Sequence, residues 1–162
     1  MNPIRTLIVV ALLSPFYLNA QSVSYKTLKD TFDESEKVHS FKVSGFLCRV
    51  VMKMAGEWEF RDAIRDLKSV RIINIPKPEF ASRQLTVSGF KKILKGDSFE
   101  ELASMIDHGD RIYIYLQQKR NTSNRYFVLI DADDEVTGVE LNGYIDINLL
   151  LDRNKEIATL NK

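Results

Sequence analysis

The chain of 162 residues has one cysteine and two histidines, and its charges lean to neither sign. Each scarcity excludes something. With Cys48 alone, no disulfide can close within the chain. Cys48 also lies far from the N-terminal apolar stretch, so no cysteine stands where a bacterial lipoprotein carries its lipid, and no lipid anchor is expected. His39 and His108 lack the paired spacing of a zinc site. The chain shows no P-loop, dinucleotide-binding fingerprint or nucleophile elbow, so no cofactor is expected. With 23 Lys and Arg against 22 Asp and Glu, no broad nucleic-acid footprint is present.

The N-terminus reads as a leader. Arg5 precedes an apolar stretch over residues 7–13, and no acidic residue appears before Asp30. That stretch is short of the ~20 apolar residues a membrane span needs, and Pro15 follows it. A signal peptide over residues 1–20, cut after Ala20, fits these features. It leaves a single domain over residues 21–162, exported to the periplasm or beyond and soluble once cleaved. Ordinary composition, 44% hydrophobic and 28% charged, marks that domain as globular.

Charge is unevenly spread. Residues 21–95 carry 15 basic and 9 acidic side chains, and residues 96–162 carry 7 and 13. The two halves either complement each other within one fold or present a polar surface to a partner.

Phe46, Leu47, Val50, Val51 and Met54 recur at helical spacing. A short helix is expected over residues 59–67, with Phe60, Ile64 and Leu67 inward. Val70, Ile72, Ile73 and Ile75 predict a strand that Pro76 and Pro78 turn into a rigid loop. Leu85, Phe90, Ile93 and Leu94 predict a helix over residues 82–95, stopped by lysines in its last turn and by Gly96. Strands follow over residues 112–116, 126–130 and 136–141, joined by polar turns that favour antiparallel hairpins. Gly138 is expected to mark a bulge. Asn142 and Gly143 are expected to turn the chain into a last short helix capped by Asp146, carrying Ile147, Leu150 and Leu151. Around Leu102, Ser98 and Glu101 have the spacing of a capping box and local rules favour helix, although the residues also alternate as in a strand.

Phe99, Glu100, Glu101 and Leu102 lead to Met105 and then to Asp107, His108, Gly109 and Asp110. After them come the strand of Ile112, Tyr113 and Ile114 and the ending Leu141, Asn142, Gly143, Tyr144, Ile145, Asp146. In order and spacing this pattern resembles a family of small exported Bacteroidetes proteins whose domain has no established function. The resemblance implies that the segment around Leu102 is a strand. It also implies neighbouring genes for alternative sigma factors, and through them a link to envelope stress or signalling. Many members look like lipoproteins; this chain departs from them in lacking the cysteine. The expected fold is therefore α+β, an antiparallel sheet of about five strands with two or three helices packed on one face, and Phe46, Val50, Phe90 and Ile114 in one interior.

No catalytic or metal-binding set emerges. A cysteine nucleophile needs a base within hydrogen-bond reach, and the only histidines are His39, nine residues before Cys48, and His108 in an expected turn, while a free cysteine is commonly a small buried hydrophobe. Asp131, Asp133, Asp134 and Glu135 resemble a calcium loop, but Val136 stands where the glycine belongs and Asn142 where the closing glutamate belongs. Nothing selects a pair among the acidic residues for glycoside cleavage. The most suggestive feature is aromatic. Tyr113 and Tyr115 share one side of their strand, and if the helices cover the aliphatic side, the tyrosines face outward as a docking surface, joined by Tyr126 if register allows. The favoured reading is a non-enzymatic module that binds another envelope protein or itself. A small hydrolase using acidic residues and a glycan- or lipid-binding module are the alternatives.

Overall fold

A computed structural model describes residues 21–54, 64–118 and 124–145. The leader, most of the helix expected over residues 59–67 and the helix expected from Asp146 lie outside these residues. Chain order runs α1 (Val23–Thr31), β1 (His39–Ser44), α2 (Gly45–Met54), β2 (Asp66–Pro76), α3 (Lys77–Ser82), α4 (Val87–Gly96), β3 (Glu100–Asp107), β4 (Asp110–Gln117), β5 (Asn124–Asp131) and β6 (Glu135–Tyr144). The six strands form one sheet in the order β1-β2-β6-β5-β4-β3, every neighbouring pair antiparallel.

This corrects the expected five strands and two or three helices: there are six strands, with four helices among the described residues. The additional strand is β1, an edge strand with five of its six residues exposed, so it lacks the strong apolar pattern of a buried strand. An unexpected helix is α1, where the Ser22 hydroxyl accepts from the Tyr25 amide as an N-cap. Tyr25, Leu28 and Phe32 then fall on its buried side. The other is α3. Pro76 and Pro78 start it instead of leading into a loop, because a proline in the first helical turn gives up no hydrogen bond there. The helix expected over residues 82–95 begins later, at Val87, with Thr86 capping Gly89. Residues 64–67, expected as the end of a short helix, form a turn and the start of β2.

The segment around Leu102 is strand β3, as the family resemblance implied, and it pairs only with β4. Its hairpin with β4 turns through His108 (φ 49°) and Gly109 (φ 101°), the pair of positive φ values of a tight two-residue turn. Gly138 is not a bulge. It pairs in regular register with Ile73 and Leu129, and a Cβ there would lie 3.1 Å from Leu28 Cδ2 and 3.2 Å from Phe127 Cζ. Its missing side chain is what lets α1 sit down on the sheet. Asn142 and Gly143 do not turn the chain but continue β6. Gly143 takes φ 140°, and a Cβ would stand 2.4 Å from the Asp66 carbonyl oxygen.

One face of the sheet carries the core. Leu28 and Phe32 from the α1 region, Phe80 from α3, and Phe90 and Leu94 from α4 pack on Ile73, Ile75, Val136, Leu129, Phe127 and Tyr115. Phe32 stacks on Phe80 with centroids 6.2 Å apart, and Phe99 meets Phe127 edge-on at 6.1 Å. Burial of each such side chain contributes about 1.5–3 kcal/mol. The expected interior of Phe46, Val50, Phe90 and Ile114 does not form: Phe90 is in the core, Ile114 lies on the opposite face, Val50 is half-buried outside the core and Phe46 is exposed.

Candidate functional site

The helix-facing side of the sheet becomes polar towards one end, where the chain has its best candidates for acid–base chemistry. Register sets Arg71 opposite Glu140, and Ser69 opposite Asn142 and then Arg125. Arg71 Nη1 lies 2.7 Å from Glu140 Oε1, and Glu140 is fully buried. The second carboxylate oxygen accepts from the Ser22 amide at 2.8 Å. Asp97, just past α4, accepts from the Ser24 amide at 2.7 Å and the Ser24 hydroxyl at 2.9 Å. Gln117 donates to the Asp97 carbonyl and accepts from Arg125 Nη1 at 3.2 Å. Both carboxylates thus hold the start of α1, one to the sheet and one to the end of α4. In these contacts both carboxylates are committed to the fold.

Among the described residues three ion pairs join the basic half of the chain to the acidic half: Arg71 to Glu140, Lys77 to Asp131 and Lys91 to Glu101. Much of the charge asymmetry therefore closes within the fold. Cys48 sits half-buried on α2, and burial pushes its thiol above the ordinary value, the wrong direction for a nucleophile. His108 pairs with Asp107 in the exposed β3–β4 turn. Among the described residues no three His, Cys, Asp or Glu side chains gather in a metal-binding group.

The tyrosines divide. Tyr113 and Tyr115 face the helices, contrary to the condition on which their outward display rested. Tyr115 is 0% exposed and donates to Glu101 Oε2 at 2.9 Å. Lys91 of α4 stands 3.9 Å above the centre of the Tyr113 ring. Tyr126 pairs with Leu116 and Leu141 on the other face and is 5% exposed.

That other, outer face is aliphatic. Register aligns Phe41, Ile72, Val139, Val128, Ile114 and Ala103 as one row across all six strands. A flanking row holds Val43, Val70, Leu141, Tyr126, Leu116 and Glu100, and the other holds His39, Asn74, Thr137, Ile130, Ile112 and Met105. Glu100, in a corner, is the only acidic residue in the three rows, and none holds a lysine or arginine. Most of these side chains remain partly exposed, and Phe41 and Met105 are about half exposed. Phe46, Leu47, Val51 and Met54 of α2 are exposed as well, Met54 at 84%.

Compared with known families, residues 25–151 match the domain of unknown function DUF4252. The chain belongs to the DUF4252 family. No curated protein and no solved structure matches it. The DUF4252 match takes in every strand and so both faces of the sheet. It starts within α1, after Ser22 and Ser24, whose amides Glu140 and Asp97 hold.

The sequence pointed to tyrosines and missed the aliphatic face. The signal was present in β4 and β5. Ile112, Tyr113, Ile114, Tyr115, Leu116 and Tyr126, Phe127, Val128, Leu129, Ile130 are unbroken apolar runs, whereas a strand with one wet face alternates. Among the described residues no helix is long and apolar enough to cross a membrane.

Proposed function

We propose that this protein is an exported, non-enzymatic interaction module of the cell envelope, and that it works by closing its outer sheet face on the same face of a second copy. The observation that carries this reading is the row of Phe41, Ile72, Val139, Val128, Ile114 and Ala103, six strands wide and without a charge. Exposed apolar patches of such extent mark association surfaces.

Size favours a sheet as the occupant. Six strands span about 24 Å at ~4.8 Å spacing, whereas a helix covers about 10 Å. One helix would leave more than half the face wet. A second copy supplies a sheet of equal width and the same aliphatic composition, and two sheets pack ~10 Å apart with interdigitating side chains. A two-fold axis parallel to the strands and crossing the middle row would set each row against its equivalent. In projection the face is roughly 500 Å², and more as accessible surface, close to the ~800 Å² per partner of a stable interface.

Export is supported by Arg5 and the apolar stretch over residues 7–13. It is also supported by how early the fold engages the chain: Ser22, two residues after Ala20, is already buried and hydrogen-bonded to Glu140. Residue-level fractionation of cells producing the full chain, followed by N-terminal sequencing, is expected to find an envelope form beginning at Gln21. An uncleaved cytoplasmic form would remove export.

For association, light scattering of the chain from residue 21 onward is expected to give twice the chain mass. Val128→Glu is expected to give one chain mass with an unchanged circular-dichroism spectrum. A wild-type monomer at tens of micromolar would end the self-pairing reading, and a stable complex with a different envelope protein through Val128 would replace the second copy as occupant.

A further inference from the structure

On the helix side, between α4 and strands β4 and β5, lies a cavity of ≈ 440 Å³ whose charged lining is mostly cationic. Lys91, Lys92 and Lys95 line it from α4, Arg111 from β4, and Tyr113 forms part of its floor. Arg111 and Tyr113 also line a second depression, with Ser104 and Ile106 of β3. One carboxylate lines the cavity as well, Asp131, which register sets opposite Arg111 and which Lys77 holds at 3.0 Å; Glu101 stands nearby, held by Lys91 at 3.3 Å. Lys95 lies within electrostatic reach of Glu101. Among the described residues Lys92 and Arg111 have no carboxylate partner. A cation surplus thus converges on a concave, partly apolar space of the size that ligands occupy.

We propose that this groove is an anion-binding site for a phosphate-bearing ligand. Arg111 offers a planar fork that matches two phosphate oxygens, and Lys92 and Lys95 supply point charges along the same wall. The Tyr113 ring beneath them displaces water from one side, which strengthens each charge relative to an open surface. The groove lies on the face opposite the aliphatic rows, so a ligand here and a protein on the outer sheet do not compete. Phosphate of this kind comes either from a free polyphosphate or phosphorylated sugar, or from a lipid headgroup.

The test uses two probes. Isothermal titration with sodium tripolyphosphate measures free-anion binding, and co-sedimentation with phosphatidylglycerol vesicles in a phosphatidylcholine background measures headgroup binding. Wild type is expected to bind at least one probe, with affinity falling as sodium chloride is raised. The double variant Lys92→Gln, Arg111→Gln is expected to bind that probe at least tenfold more weakly. Both side chains are exposed, so its melting temperature should stay near wild type. Lys42→Gln, on β1 at the opposite edge of the sheet, is expected to bind as wild type does. Binding to tripolyphosphate that the double variant loses assigns a free anion; binding to vesicles alone that it loses assigns a headgroup. The proposal is overturned if wild type binds neither probe, if the double variant binds as wild type does, or if Lys42→Gln loses as much.

Discussion

The hydroxyl of Tyr115 donates to Oε2 of Glu101 across 2.9 Å, and Lys91 reaches the same oxygen at 3.3 Å. The Tyr115 bond, with Lys91 adding to it, holds the Glu101 carboxyl below its ordinary value. A carboxylate depressed in the folded state contributes stability above its unfolded pKa and loses it as pH falls through the folded pKa. Tyr115→Phe should therefore raise the Glu101 pKa towards the ordinary value, as read by carboxyl-carbon NMR titration. Unfolding midpoints below pH 5 should also fall less steeply with acid than in wild type. An unchanged Glu101 titration would refute the assignment.

At the alkaline end the corresponding group is Tyr25. Its hydroxyl donates to the Ile72 carbonyl at 3.0 Å. Burial, with the nearby Glu140 carboxylate adding to it and Arg71 opposing, pushes its pKa up to about 12. A raised tyrosine contributes stability that is complete below pH 10 and is lost as pH rises towards 12, because only the unfolded chain ionises in that window. Tyr25→Phe is expected to cost about 1 kcal/mol at neutral pH. It should also flatten the fall in stability between pH 10 and 12, measured by urea unfolding at stepped pH.

Local chemistry was legible where it was strong. The β3–β4 turn could be read from Asp107, His108, Gly109 and Asp110, and the body of α4 from Phe90 and Leu94 at helical spacing. What could not be read was the partner of each apolar side. The stripe of α2 is real, but Phe46 and Met54 face solvent, since amphipathicity states that a helix has an apolar side and not that its own chain covers it. Faces of the sheet were assigned the wrong way round for the same reason. β4 and β5 are apolar on both sides, and what draws the helices to the tyrosine side is shape and hydrogen bonding. Gly138 leaves room there for Leu28, and Glu101 of β3 satisfies the Tyr115 hydroxyl so that it can be covered. β1 and α1 were missed because one is an exposed edge and the other is mostly polar, although Ser22 before Tyr25, Leu28 and Phe32 was a usable start signal.

Glu140 is the interior charge on which both α1 and β2 depend. Replacing it by Leu takes the paired carboxylate away from the Arg71 guanidinium, 8% exposed, and the acceptor away from the Ser22 amide. Removal of one partner from such a pair costs about 3–5 kcal/mol, and Glu140→Leu is expected to lower the urea midpoint accordingly. Adding Arg71→Met removes the buried cation and should restore part of the loss, giving a coupling energy in a double-mutant cycle. Equal losses in the single and double variants would show that the Ser22 contact, and not the ion pair, sets the cost.

Gly138 offers the sharpest test of how α1 is seated. Adding a Cβ places it 3.1–3.2 Å from Leu28, Ile73 and Phe127, all of them side-chain atoms that can yield slightly. Overpacking of that kind costs about 1–3 kcal/mol. Gly138→Ala is thus expected to fold but melt earlier, with faster hydrogen exchange in α1 than in β5. Combining it with Leu28→Ala returns the space and should recover part of the loss, although Leu28 alone contributes to the core. If the two changes are simply additive, α1 does not rest on Gly138 and the close approach seen between Leu28 and β6 carries no energy.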